Sequence, residues 1–189
     1  GIKPQDVRII PSAVGGGFGA KLDLSVQPFL AVAAWLLKRP VRMVYSRAES
    51  VMTTTKRHPG RMRMRAGVDS NGKLLAIDFH GDFNTGAYSS WGPTVANRVP
   101  IHASGPYRVP NVRALTRAIL TNNSIGGAFR RFGVPQSTVV GEALLDELAT
   151  SCGIDPLEFR YRNALRAGDR TATGQRLDAS VGMRQCLDR

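Results

Sequence analysis

Cysteine is scarce in this sequence, which has only Cys152 and Cys186 in 189 residues. Two cysteines supply neither a disulfide framework nor a metal-ligand cluster. We therefore expect two reduced thiols with structural roles.

Long apolar runs are also lacking. The longest, residues 29–37, is far shorter than the roughly 18 residues of a membrane helix. No basic and then apolar signal segment opens the chain, so the sequence predicts a cytoplasmic protein without a membrane partner. The composition, 42% hydrophobic and 21% charged, is that of an ordinary globular domain.

Acidic residues are outnumbered by basic ones, 14 to 26, and the net charge is +12. A domain this basic can bind nucleic acid, belong to an assembly with acidic partners, or hold phosphates. The arginines are spread along the chain without a dense tract, so charge alone leaves these alternatives open.

The first 45 residues suggest a strand–helix–strand unit. Residues 6–11 and 41–45 have strand character, and residues 24–38 predict a helix that is apolar nearly all round and therefore buried. Pro40 marks the end of this helix.

Alternation and turn residues predict a hairpin next, with strands at 61–66 and 74–83 joined by a turn at 69–72. Its three arginines are expected on a solvated face. Residues 84–110 are predicted to form a long loop with one helical turn. Residues 112–120 are predicted to form a strand. A helix is predicted over 136–152, stopped by Gly153, and another begins at the N-cap Asp155. The tail after Arg166 looks partly irregular.

Two glycine-containing loops carry the functional signal. Residues 13–22, the first loop, contain Gly-Gly-Gly-Phe-Gly-Ala-Lys. Consecutive glycines let backbone amides converge on an anion or polar ligand near the positive end of a helix. Neither a Walker loop nor a dinucleotide fingerprint is present, and a purely structural turn remains open.

The second loop, residues 126–136, reads Gly-Gly-Ala-Phe-Arg-Arg-Phe-Gly-Val-Pro-Gln. Two aromatic rings around two guanidinium groups suit a flat, polar ligand. An RNA-binding loop or a structural loop would also fit the pattern.

Together, the two motifs resemble the molybdopterin-loop signatures of the xanthine dehydrogenase and aldehyde oxidase family. Arg57, His58 and Pro59 resemble that family's Arg-His-Pro, and residues 107–113 resemble its Tyr-x-x-Pro-Asn-x-Arg. The likeness continues through residues 142–152, 155–163 and 168–169. It therefore covers nearly the whole chain.

The resemblance implies an α+β fold, a mixed sheet with packed helices, forming the first part of a molybdenum-cofactor-binding domain. Residues 1–189 would be a partial domain whose C-terminal helical part begins near residue 136. The implied activity is hydroxylation of an aldehyde or N-heteroaromatic substrate with water as the oxygen source. Molybdenum would be held by a pterin dithiolene, and the cytosine dinucleotide form is favoured. Iron–sulfur clusters and FAD would lie on partner domains or subunits.

Site residues follow from the same resemblance. Phe18 and Arg130 match positions whose backbone neighbours the molybdenum, with Gly17 and Gly19 making room. Arg98 matches a substrate-side arginine that stabilises charge on the reacting ring. Phe132 matches the aromatic residue on which flat substrates stack.

Two departures bear on the substrate. Leu22 stands where xanthine-oxidising members have glutamate, which argues against xanthine, because a purine would lose a hydrogen-bond partner. Arg131 stands where many members have glycine and carbon-monoxide-oxidising members have cysteine, which argues against that chemistry.

The family's base glutamate matches no residue here, and we expect no general base among these 189 residues. The isolated chain should supply loops only and be inactive. The alternatives are a basic nucleic-acid-binding module and a structural piece that binds nothing.

Overall fold

The computed structural model describes residues 3–189. Three strands form one sheet in the order β1 (Gly60–Val68), β2 (Leu74–Gly86) and β3 (Asn111–Leu120). β1 and β2 are antiparallel, whereas β2 and β3 are parallel. The expected α+β class with a mixed sheet is confirmed.

The β1–β2 turn forms where the sequence predicts it. The Asp69 carboxylate accepts hydrogen bonds from the backbone N–H groups of Asn71 and Lys73, both at 2.9 Å. Gly72 adopts φ +73°, a left-handed conformation that glycine favours. The turn of the hairpin is therefore stabilised by hydrogen bonds from the backbone to the Asp69 side chain and by the left-handed conformation of Gly72.

Among residues 3–189, helices cover one face of the sheet. α3 (Gly92–Ile101) and α4 (Val134–Ser151) pack on the strands, and α5 (Pro156–Asn163) packs against α4. The core between them is apolar, and its fully buried large side chains are Phe79, Phe83, Val95, Val99 and Phe159.

The opposite face carries the three predicted solvated arginines of β1, all of them exposed, together with two carboxylates of β2. Asp78, on the central strand, accepts hydrogen bonds from Arg65 at 2.7 Å and from Arg113 at 2.8 and 2.9 Å. Asp82 accepts two from Arg117, at 2.7 and 2.8 Å. These carboxylates neutralise part of the positive charge of the face.

The two C-terminal helix predictions are confirmed. α4 begins two residues before the predicted start and ends at Ser151, just before Gly153. Asp155 caps α5 by accepting hydrogen bonds from the N–H groups of Leu157 and Glu158. The tail holds a short helix, α6 (Met183–Leu187), and one isolated bridge between Arg170 and Arg176.

The N-terminal strand–helix–strand prediction is wrong. α1 (Gln27–Leu37) forms, but none of its residues is buried, and residues 7–11 and 41–45 form no strand. A 3-10 turn occupies Pro4–Asp6, and α2 (Arg47–Thr53) follows the second segment. A strand needs a neighbouring strand to bond its backbone groups, and residues 3–189 place none beside these segments. Residues 6–9 face α1 only across a groove, so no residue of the helix is buried.

Residues 84–110 also differ from the prediction, because α3 is ten residues long rather than a single turn. It connects the parallel strands β2 and β3, as a parallel pair requires. The strand–helix–strand unit therefore lies at β2–α3–β3.

Within residues 3–189, no helix has the length and hydropathy needed to cross a bilayer. Cys152 and Cys186 are both free; Cys152 is half-buried and Cys186 is exposed, so their expected structural role stays a prediction.

Candidate functional site

The first loop is an exposed turn built on glycine. Lys21 donates from Nζ to the carbonyl of Gly16 at 2.7 Å, and the Ala20 N–H donates to the carbonyl of Gly17 at 2.9 Å. Phe18 adopts φ +48°, and 67% of its surface is exposed. The loop therefore presents an aromatic ring to solvent. The expected helix dipole is not adjacent to it, because α1 begins only at Gln27.

The second loop is anchored at its start and leads directly into α4. Lys56 bridges to Gly126: the Lys56 N–H donates to the carbonyl of Ile125, and the Gly127 N–H donates to the carbonyl of Lys56. A Cβ on Gly127 would collide with the side chain of Thr55. Only glycine fits there.

Strain is concentrated further along this loop. Arg131, Phe132 and Gly133 have φ values of +71°, +49° and +102°. Non-glycine residues in this region cost on the order of 1–3 kcal/mol each and cluster at functional sites. The conformation marks the stretch before α4 as a candidate site.

The two loops lie against each other. A Cβ on Gly19 would come within 2.6 Å of the Ala128 carbonyl oxygen. The Arg130 guanidinium carbon lies 5.5 Å from the centre of the Phe18 ring, within cation–π range. The structure therefore brings together the two residues that the sequence analysis paired.

Backbone donors remain free on both loops. Within the described part of the chain, the N–H groups of residues 15–19 and 128–131 make no hydrogen bond. The exposed cations Lys21, Arg130 and Arg131 lie on the same loops. Free N–H groups beside positive charge suit an anion or a ligand rich in oxygen atoms.

Asp23 joins three segments behind the first loop. Its carboxylate accepts hydrogen bonds from Ser90, 2.8 Å from each oxygen, and from Thr55 at 3.0 Å. Ser90 has φ +41°. Sequence reasoning missed this junction, because the three residues are distant in the chain and belong to no motif.

The substrate-side predictions are only partly brought together. The Phe132 ring meets Trp91 edge-on, with centroids 5.9 Å apart. α3 packs on the end of the second loop, where a Cβ on Gly133 would lie 2.9 Å from the Val95 carbonyl oxygen. Arg98 is exposed in the last turn of α3 and makes no hydrogen bond or ion pair with residues 3–189.

Leu22 is 58% exposed and follows the first loop. Leu22 and Phe132, which the sequence analysis assigns to the same substrate side, are not in contact in the structure. Its role, like that of Arg98, stays a prediction.

Buried His58 lies beneath the second loop. Its Nε2 is 3.3 Å from the Thr85 hydroxyl, and its Nδ1 has no partner among residues 3–189. Burial, and then the charge of Arg57, lower the pKa of His58 below its ordinary value. A Cβ on Gly126 would press on this ring at 2.8 Å.

Phe18, Arg130 and Arg131 are exposed at the loop pair. Grooves of about 620 and 700 Å³ lie elsewhere, the first beside Asp78 and the second between residues 6–9 and α1. No three His, Cys, Asp or Glu side chains of residues 3–189 form a metal-ligating group. The groups that the two loops do present are backbone N–H donors, aromatic rings and guanidinium groups.

Comparison with known proteins identifies the class. A family model described as "Molybdopterin cofactor-binding domain" matches residues 1–164, and the chain therefore belongs to this family. It is 46% identical over 183 residues to the nicotinate dehydrogenase large molybdopterin subunit of Eubacterium barkeri, covering 97% of this chain and 43% of that protein.

Two further relatives agree. Over 187 residues the chain is 40% identical to a probable xanthine dehydrogenase subunit of Bacillus subtilis, covering 99% of this chain and 25% of that protein. The structure of the Desulfovibrio gigas aldehyde oxidoreductase superimposes with a TM-score of 0.85 at 37% identity, over 92% of this chain and 19% of that one. The likeness to the xanthine dehydrogenase and aldehyde oxidase family is confirmed. The chain spans less than half the length of these relatives.

Proposed function

We propose that this chain supplies cofactor-contacting and substrate-contacting loops to a molybdenum hydroxylase. The enzyme oxidises an aldehyde or an N-heteroaromatic compound with water as the oxygen source. Residues 1–189 serve as a partial molybdopterin-binding domain, with loops at 13–22 and 126–136.

One observation carries this proposal: the Arg130 guanidinium lies 5.5 Å from the Phe18 ring, where two glycine-containing loops meet. On both loops, the N–H groups of residues 15–19 and 129–131 make no hydrogen bond within residues 3–189. Molybdopterin, with the carbonyl oxygen of its pterin ring and its phosphate, offers acceptors for such donors.

The residues present fit the proposed cofactor. Nothing lies within 4 Å of a Cβ built on Gly15, and at Gly17 only Lys21 Cβ comes close, at 3.8 Å. A ligand can therefore approach this backbone. When bound, the molybdenum–pterin group would supply Lewis-acid and electron-accepting chemistry.

In this proposal, Gly17, Phe18, Gly19 and Arg130 contact the cofactor, and the backbones of Phe18 and Arg130 neighbour the metal. The side chains of these two residues hold the loops together from either side. The chain thereby supplies position and hydrogen bonds.

Phe132, Arg98 and Leu22 form the substrate side. Phe132 offers a ring that Trp91 steadies at 5.9 Å, so a flat substrate can stack on it. Arg98 stabilises negative charge that develops on the substrate. Leu22 has no carboxylate, which disfavours xanthine and suits a less polar ring.

The proposed assembly includes the rest of the molybdopterin subunit and domains or subunits that carry iron–sulfur clusters and FAD. The cytosine dinucleotide form of the cofactor is our proposal for this chain. Neither the family model nor the relatives support the nucleic-acid-binding alternative.

The test uses the enzyme that contains this chain. Its molybdenum content is measured by mass spectrometry. The nucleotide of its cofactor is released with acid and then identified. Nicotinate and an aromatic aldehyde are then offered in heavy-oxygen water with an artificial electron acceptor.

We expect molybdenum, cytosine nucleotide and a product labelled from water for at least one of the two substrates. An enzyme without molybdenum and pterin, or a product labelled from dioxygen instead, would overturn the proposal.

A further inference from the structure

Arg57 lies directly behind the second loop, and its backbone is anchored on both sides. Lys56, before it, is bridged to Gly126. His58, after it, is buried against the same glycine. The position of the Arg57 backbone is therefore set by the start of the second loop.

The Arg57 guanidinium makes three contacts further along that loop. It donates from Nη2 to the Arg130 carbonyl at 2.8 Å and from Nη1 to Gln136 Oε1 at 3.3 Å. Its carbon lies 5.1 Å from the centre of the Phe129 ring. A planar fork with several donors can satisfy all three, whereas a lysine cannot.

Gln136 completes the arrangement. It is 6% exposed, and its amide nitrogen donates to the His58 carbonyl at 3.4 Å. Arg57 is therefore held in turn by a buried residue at the start of α4. Its orientation is fixed.

The hydrogen bond to the Arg130 carbonyl has a consequence for the next residue. In a trans peptide the C=O and the following N–H point in opposite directions. Since the Arg130 carbonyl faces Arg57, the Arg131 N–H points to the other side of the loop. That N–H makes no hydrogen bond within residues 3–189.

From these contacts we propose that Arg57 is a positioning residue. It fixes the Arg130–Arg131 peptide so that the Arg131 N–H faces the ligand while Arg130 stays against Phe18. Arg57 itself touches neither cofactor nor substrate. This inference rests on the proposed function, because the ligand is the proposed cofactor.

The test compares Arg57→Gln and Arg57→Lys in the enzyme that contains this chain. Molybdenum and pterin per subunit are measured after extended dialysis, together with the paramagnetic resonance spectrum of the metal and the melting temperature. Arg63→Gln is the matched control, since Arg63 is an exposed arginine that forms no ion pair with residues 3–189.

We expect Arg57→Gln to weaken cofactor retention about tenfold and to alter the resonance spectrum, as loss of a supporting hydrogen bond behind a metal site does. Its melting temperature should stay within a few degrees of the wild-type value. Arg57→Lys should retain an intermediate amount, and Arg63→Gln should match the wild type.

Full retention with an unchanged spectrum in Arg57→Gln would overturn the inference. So would failure of Arg57→Lys to fold, which would assign Arg57 to fold stability instead. If the wild-type enzyme lacked molybdenum and pterin, the proposed function itself would be wrong, and this result would not depend on the Arg57 variants.

Discussion

Gly19 and Gly168 share a backbone conformation but differ in surroundings. Their φ values are +86° and +90°, yet a Cβ on Gly19 would reach the Ala128 carbonyl, whereas a Cβ on Gly168 would meet nothing within 4 Å. Alanine at either site meets a similar backbone penalty of about 1 kcal/mol. The difference in stability between the two alanine variants therefore measures the effect of the contact between the loops.

Gly19→Ala should therefore cost more than Gly168→Ala. We expect an additional loss of about 1–3 kcal/mol in unfolding free energy from overpacking, measured by urea denaturation. Cofactor content should fall only in Gly19→Ala. Equal losses in both variants would mean that the loops do not touch in solution.

Arg98 tests the substrate side. If it stabilises charge in the transition state, Arg98→Ala should lower turnover about 100-fold while raising the apparent substrate Kd far less. Steady-state kinetics and equilibrium binding on the intact enzyme separate the two effects, with Arg63→Ala as the control. If turnover were unchanged, Arg98 would not be part of the substrate site.

Residues that act through long-range contacts were the hardest to predict. The glycine motifs are local, so the sequence identifies both loops. Arg57 contacts Arg130 across 73 positions, and Asp23 contacts Ser90 across 67. Such pairings depend on the folded path of the chain, which no local pattern contains.

At the scale of elements, the outer sheet face depends on ionised carboxylates. Hydrogen bonds from Arg113 and Arg65 hold the pKa of Asp78 well below its ordinary value. A depressed pKa in the folded state adds stability above the unfolded-state pKa, about 3.9, and this stability is lost as the pH falls further.

Asp78→Asn should therefore destabilise the protein at pH 7, and the difference from wild type should shrink steadily below about pH 4. Urea midpoints across this range provide the measurement, with the exposed Asp188→Asn as the control. A difference that grows as the pH falls would contradict the ion-pair account.

Elements were predictable where the signal is local. Alternating side chains and the Asp69 turn predict the β1–β2 hairpin, and an N-cap predicts α5. α3 was underestimated because Pro100 disfavours a helix interior by propensity, whereas packing of Val95 and Val99 favours the helix. For α1 the sequence predicted the helix but not its surroundings. An apolar helix needs a surface to pack against, but its own sequence does not show where that surface lies.

For the whole molecule, we expect catalysis to need more than these residues. Among the acids, Glu142 accepts hydrogen bonds from Tyr107 and Arg160, and Glu158 accepts one from Arg162. Neither carboxylate lies on a cofactor loop. The Asp23 carboxylate, behind the first loop, accepts hydrogen bonds from Ser90 and Thr55. We therefore expect no general base at the loops among residues 3–189.

The isolated 189-residue chain should accordingly hydroxylate neither nicotinate nor an aromatic aldehyde, even with molybdenum cofactor added. Product formation is followed by chromatography, beside the larger enzyme as a positive control. Turnover by the isolated chain would show that a base is present within it.

The most direct measurement is an experimental structure of the cofactor-loaded enzyme that contains this chain. We predict that residues 13–22 and 126–136 form two walls of one cleft, with the backbones of Phe18 and Arg130 beside the molybdenum. A metal bound elsewhere, or Phe18 and Arg130 on opposite sides of the molecule, would contradict this assignment.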